Sequence, residues 1–470
     1  MKVEGQVDFN ALLFIPGALP WELARNMFDE ESRGIRLYVK RVFINDKFAD
    51  AVPRWLTFIR GVVDSDELPL NVGREILQKS RMLQVINKRI AAKSVEMMKN
   101  MKQEGGDKWR RFWDNYGKYI KVGAVEDKDN QEELASLVQF YSTASPKETT
   151  DLAGYIERMK ARNEELDRGV NPLPTTSSGR LIVRRKQNAI YYLAAENRKA
   201  AEESPALELP RELGYEVIFG TEPLDEFFLA SLSINQYKGL QVIDVNKADL
   251  KLGGEEGSGA SGSAGRHGDR TTPHGSPTSS EDLAKQAASA KESIETKRIQ
   301  MGSLCEWLQQ ILGTKVHNVH VTDRLFTSPA VLVQGDFGLS PTMQRYMKQQ
   351  AAAQGVSEQE LYGASLNQPI LELNPYHPII QRLDNMVRRD VTDPRAKEVA
   401  LQLFDVAALQ GGYNIDNPGH FAKRVIEMMK READIALSEQ NKQEVNPPSP
   451  TSTPLHQQSP NSSTQTGEAP

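Results

Sequence analysis

The amino-acid sequence predicts a mixed α/β (α+β) protein built from two folded blocks. The first block, about 1–252, alternates β-branched and aromatic runs with segments whose apolar residues recur at helical spacing. The second block, about 284–437, is mainly helical with one strand-like run. Between them, residues 253–283 are rich in Gly, Ser, Thr and Pro. Such a segment buries too little apolar surface to offset its ordering entropy, which predicts a flexible linker.

The elements of the first block follow from local patterns. β-Branched and aromatic runs predict strands at 7–15, 35–44, 189–193 and 216–219. Val52, Trp55, Leu56 and Ile59 fall at helical spacing, and a longer helix is predicted from about Val72 to Met101. A Pro-, Thr- and Ser-rich interruption predicts a disordered insertion near 169–179. Alternating strands and helices favour a layered α/β/α arrangement.

The second block opens with a predicted helix at 304–312, which Gly313 closes as a left-handed cap. A strand is predicted at 316–321. Two helices end the block and carry wide apolar stripes, which include Leu403 and Phe404 in the first and Val425 and Met428 in the second. Such stripes indicate either a local core or a self-association surface. Residues 438–470 are dominated by Pro, Ser, Thr, Gln and Asn, which predicts a disordered tail.

Composition excludes several classes of function. The chain of 470 residues has a net charge of −5, which argues against general nucleic-acid binding. No apolar run is long enough to span a membrane. The only cysteine, Cys305, excludes an intrachain disulfide framework. His317 and His320 are three apart on a predicted strand and should point to opposite faces, so no metal site is expected. As written, the sequence predicts a cytoplasmic protein without nucleic-acid or membrane partners.

An aromatic cluster on one predicted helix has two interpretations. Its members recur at helical spacing: Trp109, Phe112, Trp113, Tyr116 and Tyr119. Packing in the core is the simpler explanation. A surface that stacks against client proteins or nucleic-acid bases is the alternative.

Arg74 stands at an unusual place for a cation. Asn71 is a good N-cap, so Arg74 falls in the first turn of the predicted helix, where the helix dipole favours anions. One explanation is a surface arginine paired with a nearby carboxylate such as Asp64. The other is that Arg74 is held out to meet an anion, such as a phosphate presented by another domain.

Two stretches carry a family resemblance. Residues 37–44 (LYVKRVFI) and 61–78 (GVVDSDELPLNVGREILQ) are similar to the middle segment of the ninety-kilodalton heat-shock chaperones. Further similar stretches occur at 155–159, 190–193, 221–226 and 373–378. The resemblance covers nearly all of 1–437, apart from the linker and the interruption near Pro172.

The resemblance implies a domain organisation and a function. It implies a middle domain with a large part at 1–145 and a small part at 146–252, a linker at 253–283, a dimerisation domain at 284–437 and a tail at 438–470. Members are ATP-driven dimeric clamps that bind unfolded or partly folded client proteins and assist their folding. ATP and Mg are held by an N-terminal domain that this sequence does not contain, so we expect no cofactor on this chain itself.

The resemblance also implies roles for single residues. Arg74 matches the residue that reaches the γ-phosphate of ATP, and Gln78 and Asn71 belong to the same catalytic loop. Phe43 matches an apolar contact to the ATP domain. The residues matching a client-contacting helix and its approach are Leu339, Met343, Tyr346 and Met347. The residues matching the dimer interface are Leu403, Phe404, Val425 and Met428.

Some positions depart from the family pattern. Gly73 replaces the usual Ser. Leu339 replaces a common Trp, and this smaller side chain reduces the expected client surface. The tail lacks the acidic motif of cytosolic members, which favours a plastid or mitochondrial location as the alternative to the cytoplasm. The alternative function is a truncated regulator without ATPase activity that heterodimerises with a full-length chaperone.

Overall fold

The computed structural model describes residues 1–5, 7–28, 34–45, 52–68, 81–145, 147–168, 184–248, 250, 252, 294–335, 338–355, 368–415 and 417–445. The chain forms two compact units, Met1–Ile415 and Asp416–Pro470. The first unit contains the first predicted block, which we call the middle half (1–252), and the part of the second block up to Ile415, which we call the C-terminal half (294–415). The predicted linker, the predicted insertion and the catalytic loop at 69–80 lie outside the described residues.

The middle half begins with a five-stranded sheet. Its strands are β1 (Lys2–Val3), β2 (Phe9–Phe14), β3 (Gly34–Val39), β4 (Val42–Asn45) and β5 (Arg60–Ser65), in the order β1-β2-β5-β3-β4. Strands β3 and β5 are parallel and the other pairs are antiparallel. Burial alternates along β2, β3 and β5, as expected for strands with one face on the core.

The single strand predicted over 35–44 is wrong. The chain turns back at Lys40 and Arg41, whose φ angles are 50° and 63°, and β3 and β4 form a hairpin. Positive φ at two successive residues matches the right-handed twist of the strands. Two basic residues at these positions carry no sequence signal for such a turn, because glycine or asparagine is usual there.

Four helices share an apolar core with this sheet: α1 (Trp21–Arg25), α2 (Arg81–Glu104), α3 (Gly106–Glu126) and α4 (Gln131–Ala135). A 3-10 helix at Arg54–Leu56 places Trp55 against α3, where a Cβ at Gly123 would lie 2.6 Å from the indole. The predicted core role of the aromatic cluster is confirmed for Phe112, Tyr116 and Tyr119, which are buried. The ring of Tyr116 stacks on Phe58 at 4.5 Å.

The small part of the middle half holds a second sheet, in the order β6-β8-β7-β9. Its strands are β6 (Tyr141–Ser142), β7 (Ala189–Ala194), β8 (Val217–Gly220) and β9 (Gln241–Asp244), and its helices are α5 (Leu152–Asp167), α6 (Arg198–Glu202), α7 (Glu208–Leu213) and α8 (Pro223–Asn235). Strand β7 is buried along its whole length and is parallel to both neighbours. Its alternate side chains enter two different apolar clusters, which confirms a layered α/β/α arrangement.

The C-terminal half contains a three-stranded sheet with the order β10-β12-β11. The strands are β10 (Asn318–Val321), β11 (Ala330–Val333) and β12 (Ile370–Leu373), and the helices are α9 (Gly302–Leu312), α10 (Pro341–Gln354), α11 (Pro378–Arg389) and α12 (Pro394–Gln410). Gly313 ends α9 with a φ of 56° and a ψ of −122°. The positive φ was expected, but the ψ lies outside the predicted left-handed region.

The second unit contains one described helix, α13 (Pro418–Val445). It continues past residue 438, where the sequence predicts the start of the tail. No described helix is long and apolar enough to cross a bilayer.

Candidate functional site

The residues just before the predicted catalytic loop are held at the end of β5. Asn71, Arg74 and Gln78 lie outside the described residues, so their roles stay predictions. Before the loop, Leu68 is buried, and the Ser65 hydroxyl donates to the carbonyl of Asp8 at 2.9 Å. The backbone N–H of Asp8 donates in turn to Glu67 at 3.1 Å. These contacts fix the start of the loop to the end of β5.

Phe43 lies at the same end of the five-stranded sheet. The register pairs Val39 with both Ser65 on β5 and Val42 on β4, so the β3–β4 turn stands beside the start of the loop. The Arg41 N–H donates to the Asp64 carboxylate at 3.1 Å and ties the turn to β5. Phe43 is 52% exposed, with its ring edge-on to Tyr38. The sheet therefore brings the predicted ATP-domain contact to the end of β5, which precedes the predicted catalytic loop in the sequence.

The predicted client surface on α10 is divided between the core and the surface. Met343 is only 5% exposed, and Leu339 and Met347 are partly buried. Tyr346 is exposed, and its ring meets Phe227 of α8 edge-on at 6.3 Å. This exposed aromatic pair joins the two halves of the first unit. Phe227 was not predicted, because its place beside Tyr346 depends on how the halves dock.

The four predicted dimerisation residues also fall into two groups. Leu403 and Phe404 on α12 are buried in the core of the C-terminal half, and Phe404 is 9% exposed. On α13, Val425 is partly buried and Met428 is 51% exposed. The C-terminal half thus covers the pair on α12, whereas Met428 on α13 is half exposed.

The two halves of the first unit meet in a polar contact region, which we call the joint. Glu208, the first residue of α7, accepts hydrogen bonds from the backbone N–H groups of Phe326, Thr327 and Ser328 and from the Thr327 hydroxyl. Burial disfavours the ionised carboxyl. The hydrogen bonds outweigh burial and hold the pKa of Glu208 below its ordinary value.

A buried arginine crosses the joint beside Glu208. Arg324 donates to the carbonyls of Val245 and Lys247, at 3.4 and 2.7 Å, from the C-terminal half to the middle half. Its guanidinium also pairs with Glu372 on β12 at 2.6 Å. Burial opposes ionisation of Glu372, but Arg324 and His320 together hold its pKa below the usual value. The ion pair is nearly excluded from solvent, so loss of either partner would leave a buried charge.

Two further carboxyls at the joint behave in the opposite way. Burial raises the pKa of Glu226 on α8 to about 7, although the Ser340 hydroxyl donates to it. Burial likewise raises the pKa of Asp244 on β9 to about 6. Asp244 accepts from the Gln334 side chain at 3.1 Å, and the backbone of Gln334 pairs with Asn246 and Ala248. The joint therefore combines acids that favour ionisation with acids that favour the neutral form.

The polar residues of the joint were not predicted as functional. One local signal was present: Ser340 followed by Pro341 is typical of a helix start, and Ser340 caps α10. For Glu208, Arg324 and Glu372 we find no sequence signal, because their partners lie far away in the chain. In the described part of the chain, no group of His, Cys, Asp or Glu side chains is placed to hold a metal ion.

Comparison with known proteins agrees with the resemblance. The family profile of the Hsp90 protein matches residues 1–166 and 181–461. The chain is 35% identical to the chloroplastic heat shock protein 90-5 of Arabidopsis thaliana and 33% identical to the mitochondrial heat shock protein 90-6 of that plant. These matches cover 91% and 93% of this chain but only 46% of each relative, so the chain spans about half their length.

Two other proteins are similar. The chain is 33% identical to heat shock protein 83 of Leishmania donovani, over 91% of this chain and 80% of that protein. A solved structure of the middle domain of a Plasmodium falciparum heat shock protein shares 51% identity over 53% of this chain and 86% of its own, with a TM-score of 0.43. Because the family profile matches most of the sequence, this chain belongs to the Hsp90 family of chaperones.

Proposed function

We propose that this Hsp90-family chain forms the middle and C-terminal parts of an ATP-driven dimeric clamp that binds unfolded or partly folded proteins and assists their folding. The observation that supports this most is the adjacency of Phe43 and the start of the catalytic loop. An ATP-binding domain seated on the exposed Phe43 would meet the loop that carries Arg74.

In this proposal, ATP and Mg are held by an N-terminal domain and not by the residues of this chain. Arg74 would stabilise the charge that develops on the γ-phosphate, because a guanidinium can donate two hydrogen bonds to phosphate oxygens. Asn71 would start the helix that carries Arg74, and Gln78 would lie one turn further along it.

Client proteins would bind the exposed aromatic pair Tyr346 and Phe227, together with the partly buried Leu339 and Met347. Aromatic rings and flexible methionines suit a surface that must accept many apolar sequences. Met343 would support this surface from below, since its side chain is buried. The apolar stripe of α13, which includes Val425 and Met428, would associate with a second copy of the chain.

The proposed location is an organelle, either a plastid or a mitochondrion. Two relatives that are 35% and 33% identical to this chain over the matched residues are named chloroplastic and mitochondrial.

Suppression of client aggregation tests the client surface. A chemically denatured client is diluted with the purified chain, and light scattering is followed without nucleotide. Replacing both Tyr346 and Phe227 with Ala should remove most of the protection. Ile299→Ala is the matched control, because Ile299 is also exposed and takes no part in the aromatic pair. Equal loss of protection in both variants would refute the assignment.

A second experiment tests the catalytic role of Arg74. An Hsp90 ATP-binding domain is fused ahead of Met1, and steady-state ATP hydrolysis is measured. Arg74→Ala should reduce turnover at least a hundredfold, whereas Arg81→Ala, an exposed cation at the start of α2, should leave it unchanged. Full turnover with Arg74→Ala would return Arg74 to the role of a surface arginine.

A further inference from the structure

The hydrogen bonds that the Glu208 carboxylate accepts at the joint all come from the C-terminal half. One oxygen accepts from the N–H groups of Phe326 and Thr327, the latter at 3.0 Å. The other accepts from the Ser328 N–H at 3.0 Å and from the Thr327 hydroxyl at 2.8 Å. All four donors belong to the C-terminal half, whereas Glu208 belongs to α7 of the middle half.

Three successive backbone N–H groups that converge on one anion form a concave binding site for that anion. Hydrogen bonds to an ionised acceptor are stronger than neutral ones, and here both carboxylate oxygens take part. The concave site is built by the C-terminal half alone. Asn374 holds its far side, through a side-chain bond to the Ser328 carbonyl at 3.0 Å and a backbone bond to the Pro329 carbonyl at 2.9 Å. Loss of Glu208 would therefore leave the loop in place but without its anion.

The rest of the joint contains further polar contacts. It includes the Arg324 bonds to the middle half, the pairing of Gln334 with Asn246 and Ala248, and ion pairing of Arg345 with Glu196. Apolar contacts also cross it: the exposed pair Phe227 and Tyr346, Ala248 packed beside Leu325 and its neighbours, and Pro205–Leu207 against β11. Polar contact regions within a chain separate more readily than apolar ones.

We infer that Glu208 and the N–H groups of Phe326, Thr327 and Ser328 form a releasable latch that fixes the orientation of the C-terminal half on the middle half. Glu208 is thus a positioning residue that touches no substrate. When the latch is closed, the two halves move as one body. When it opens, both carboxylate oxygens become free together, because all their donors leave with the same loop.

The test uses the full chain with Cys305 replaced by Ala and spin labels at Glu96→Cys and Lys397→Cys, two exposed positions in opposite halves. The labelled chain is mixed with an excess of unlabelled chain, because the proposed dimer would otherwise add distances between chains. Pulsed electron paramagnetic resonance then gives the distribution of distances between the two labels of one chain. The unaltered chain should give one narrow distance. Glu208→Gln should broaden the distribution or add a second distance. In the same variant, hydrogen exchange at the amides of Phe326, Thr327 and Ser328 should be at least tenfold faster.

The controls separate a latch from a general stabiliser. Glu212→Gln makes the same charge change on α7 outside these contacts and should leave both readouts unchanged. Thr327→Ser keeps the hydroxyl and the N–H and should behave like the unaltered chain. Glu208→Asp, which is shorter by one methylene, should open the latch as Glu208→Gln does. The inference is overturned if Glu208→Gln and Glu208→Asp keep one narrow distance and slow amide exchange. Unfolding of both halves by either variant would also overturn it.

Discussion

Helices α12 and α13 carry similar apolar stripes, but the side chains of the two stripes differ in exposure. On α12, Leu403 and Phe404 pack into the core that the C-terminal half builds for itself. On α13, Val425 is partly buried and Met428 is half exposed. The pattern along each helix predicts that one face will be covered. It does not predict whether the same chain or a second one covers it, and on α12 the structure shows cover by the same chain.

The largest effect on stability should come from a substitution in the buried apolar stripe of α12. Phe404→Ala should reduce the free energy of unfolding by about 3–5 kcal/mol, because it removes a ring from a packed core and leaves a cavity. Denaturant unfolding of the purified chain measures this loss. Leu409→Ala on the same helix is the control, and its half-exposed side chain should cost far less. Equal losses would mean that α12 is not packed as described.

A substitution in the apolar stripe of α13 should weaken self-association and should leave the free energy of unfolding of the chain unchanged. Met428→Asp places a charge in the proposed contact between two copies and should weaken dimerisation at least thirtyfold. Analytical ultracentrifugation over a range of concentrations measures the change. Lys423→Asp, a larger charge change on the opposite face of α13, should have little effect. An unchanged dimer with Met428→Asp would remove α13 from the proposed interface.

Carboxyl groups also differ in burial, and burial shifts their pKa, which leads to a prediction on how stability depends on pH. Burial raises the folded-state pKa of Glu226 to about 7, above its ordinary value of 4.5. The folded state therefore holds a proton that the unfolded state releases, and stability falls as pH rises through 7. Between pH 6 and 8 we expect a loss of roughly 1–1.5 kcal/mol from this group.

Unfolding at both pH values, with Glu226→Gln beside the unaltered chain, measures this contribution. The Gln variant should lose most of the pH dependence, since its amide does not ionise. Asp244, whose pKa is raised by burial to about 6, should supply the remainder. A Gln variant with the full pH dependence would show that another group titrates in this range.

The smallest effect on stability should come from Phe43. Because its ring is half exposed, Phe43→Ala should change the free energy of unfolding by no more than about 0.5 kcal/mol. The same variant should lower ATP turnover several-fold in the fusion with an ATP-binding domain. Val42→Ala, beside it and similarly exposed, is the control. A large loss of stability would mean that Phe43 packs within this chain and is not held exposed for contact with another domain.

The sequence predicted local elements well and long-range contacts poorly. The buried strand β7 could be found from its run of β-branched and aromatic residues, and the aromatic face of α3 from its helical spacing. The β3–β4 turn was missed because Lys40 and Arg41 are unusual residues for positive φ. The family resemblance supplied the candidate site at Phe43, but it supplied nothing on Glu208. A glutamate on a short helix looks like a surface charge until the loop that it binds is known.

The hydrogen bonds of Glu208 join residues 118 to 120 positions apart in the chain. Contacts at such distances form slowly, because a long loop must close before they contribute any stability. Each half has its own core and can collapse before the two meet. During synthesis, α7 is complete long before Asn374, which holds the binding loop, leaves the ribosome. Docking of the halves is therefore expected to be the last step in folding of the first unit, and newly made chains should pass through a stage with formed halves and an open joint.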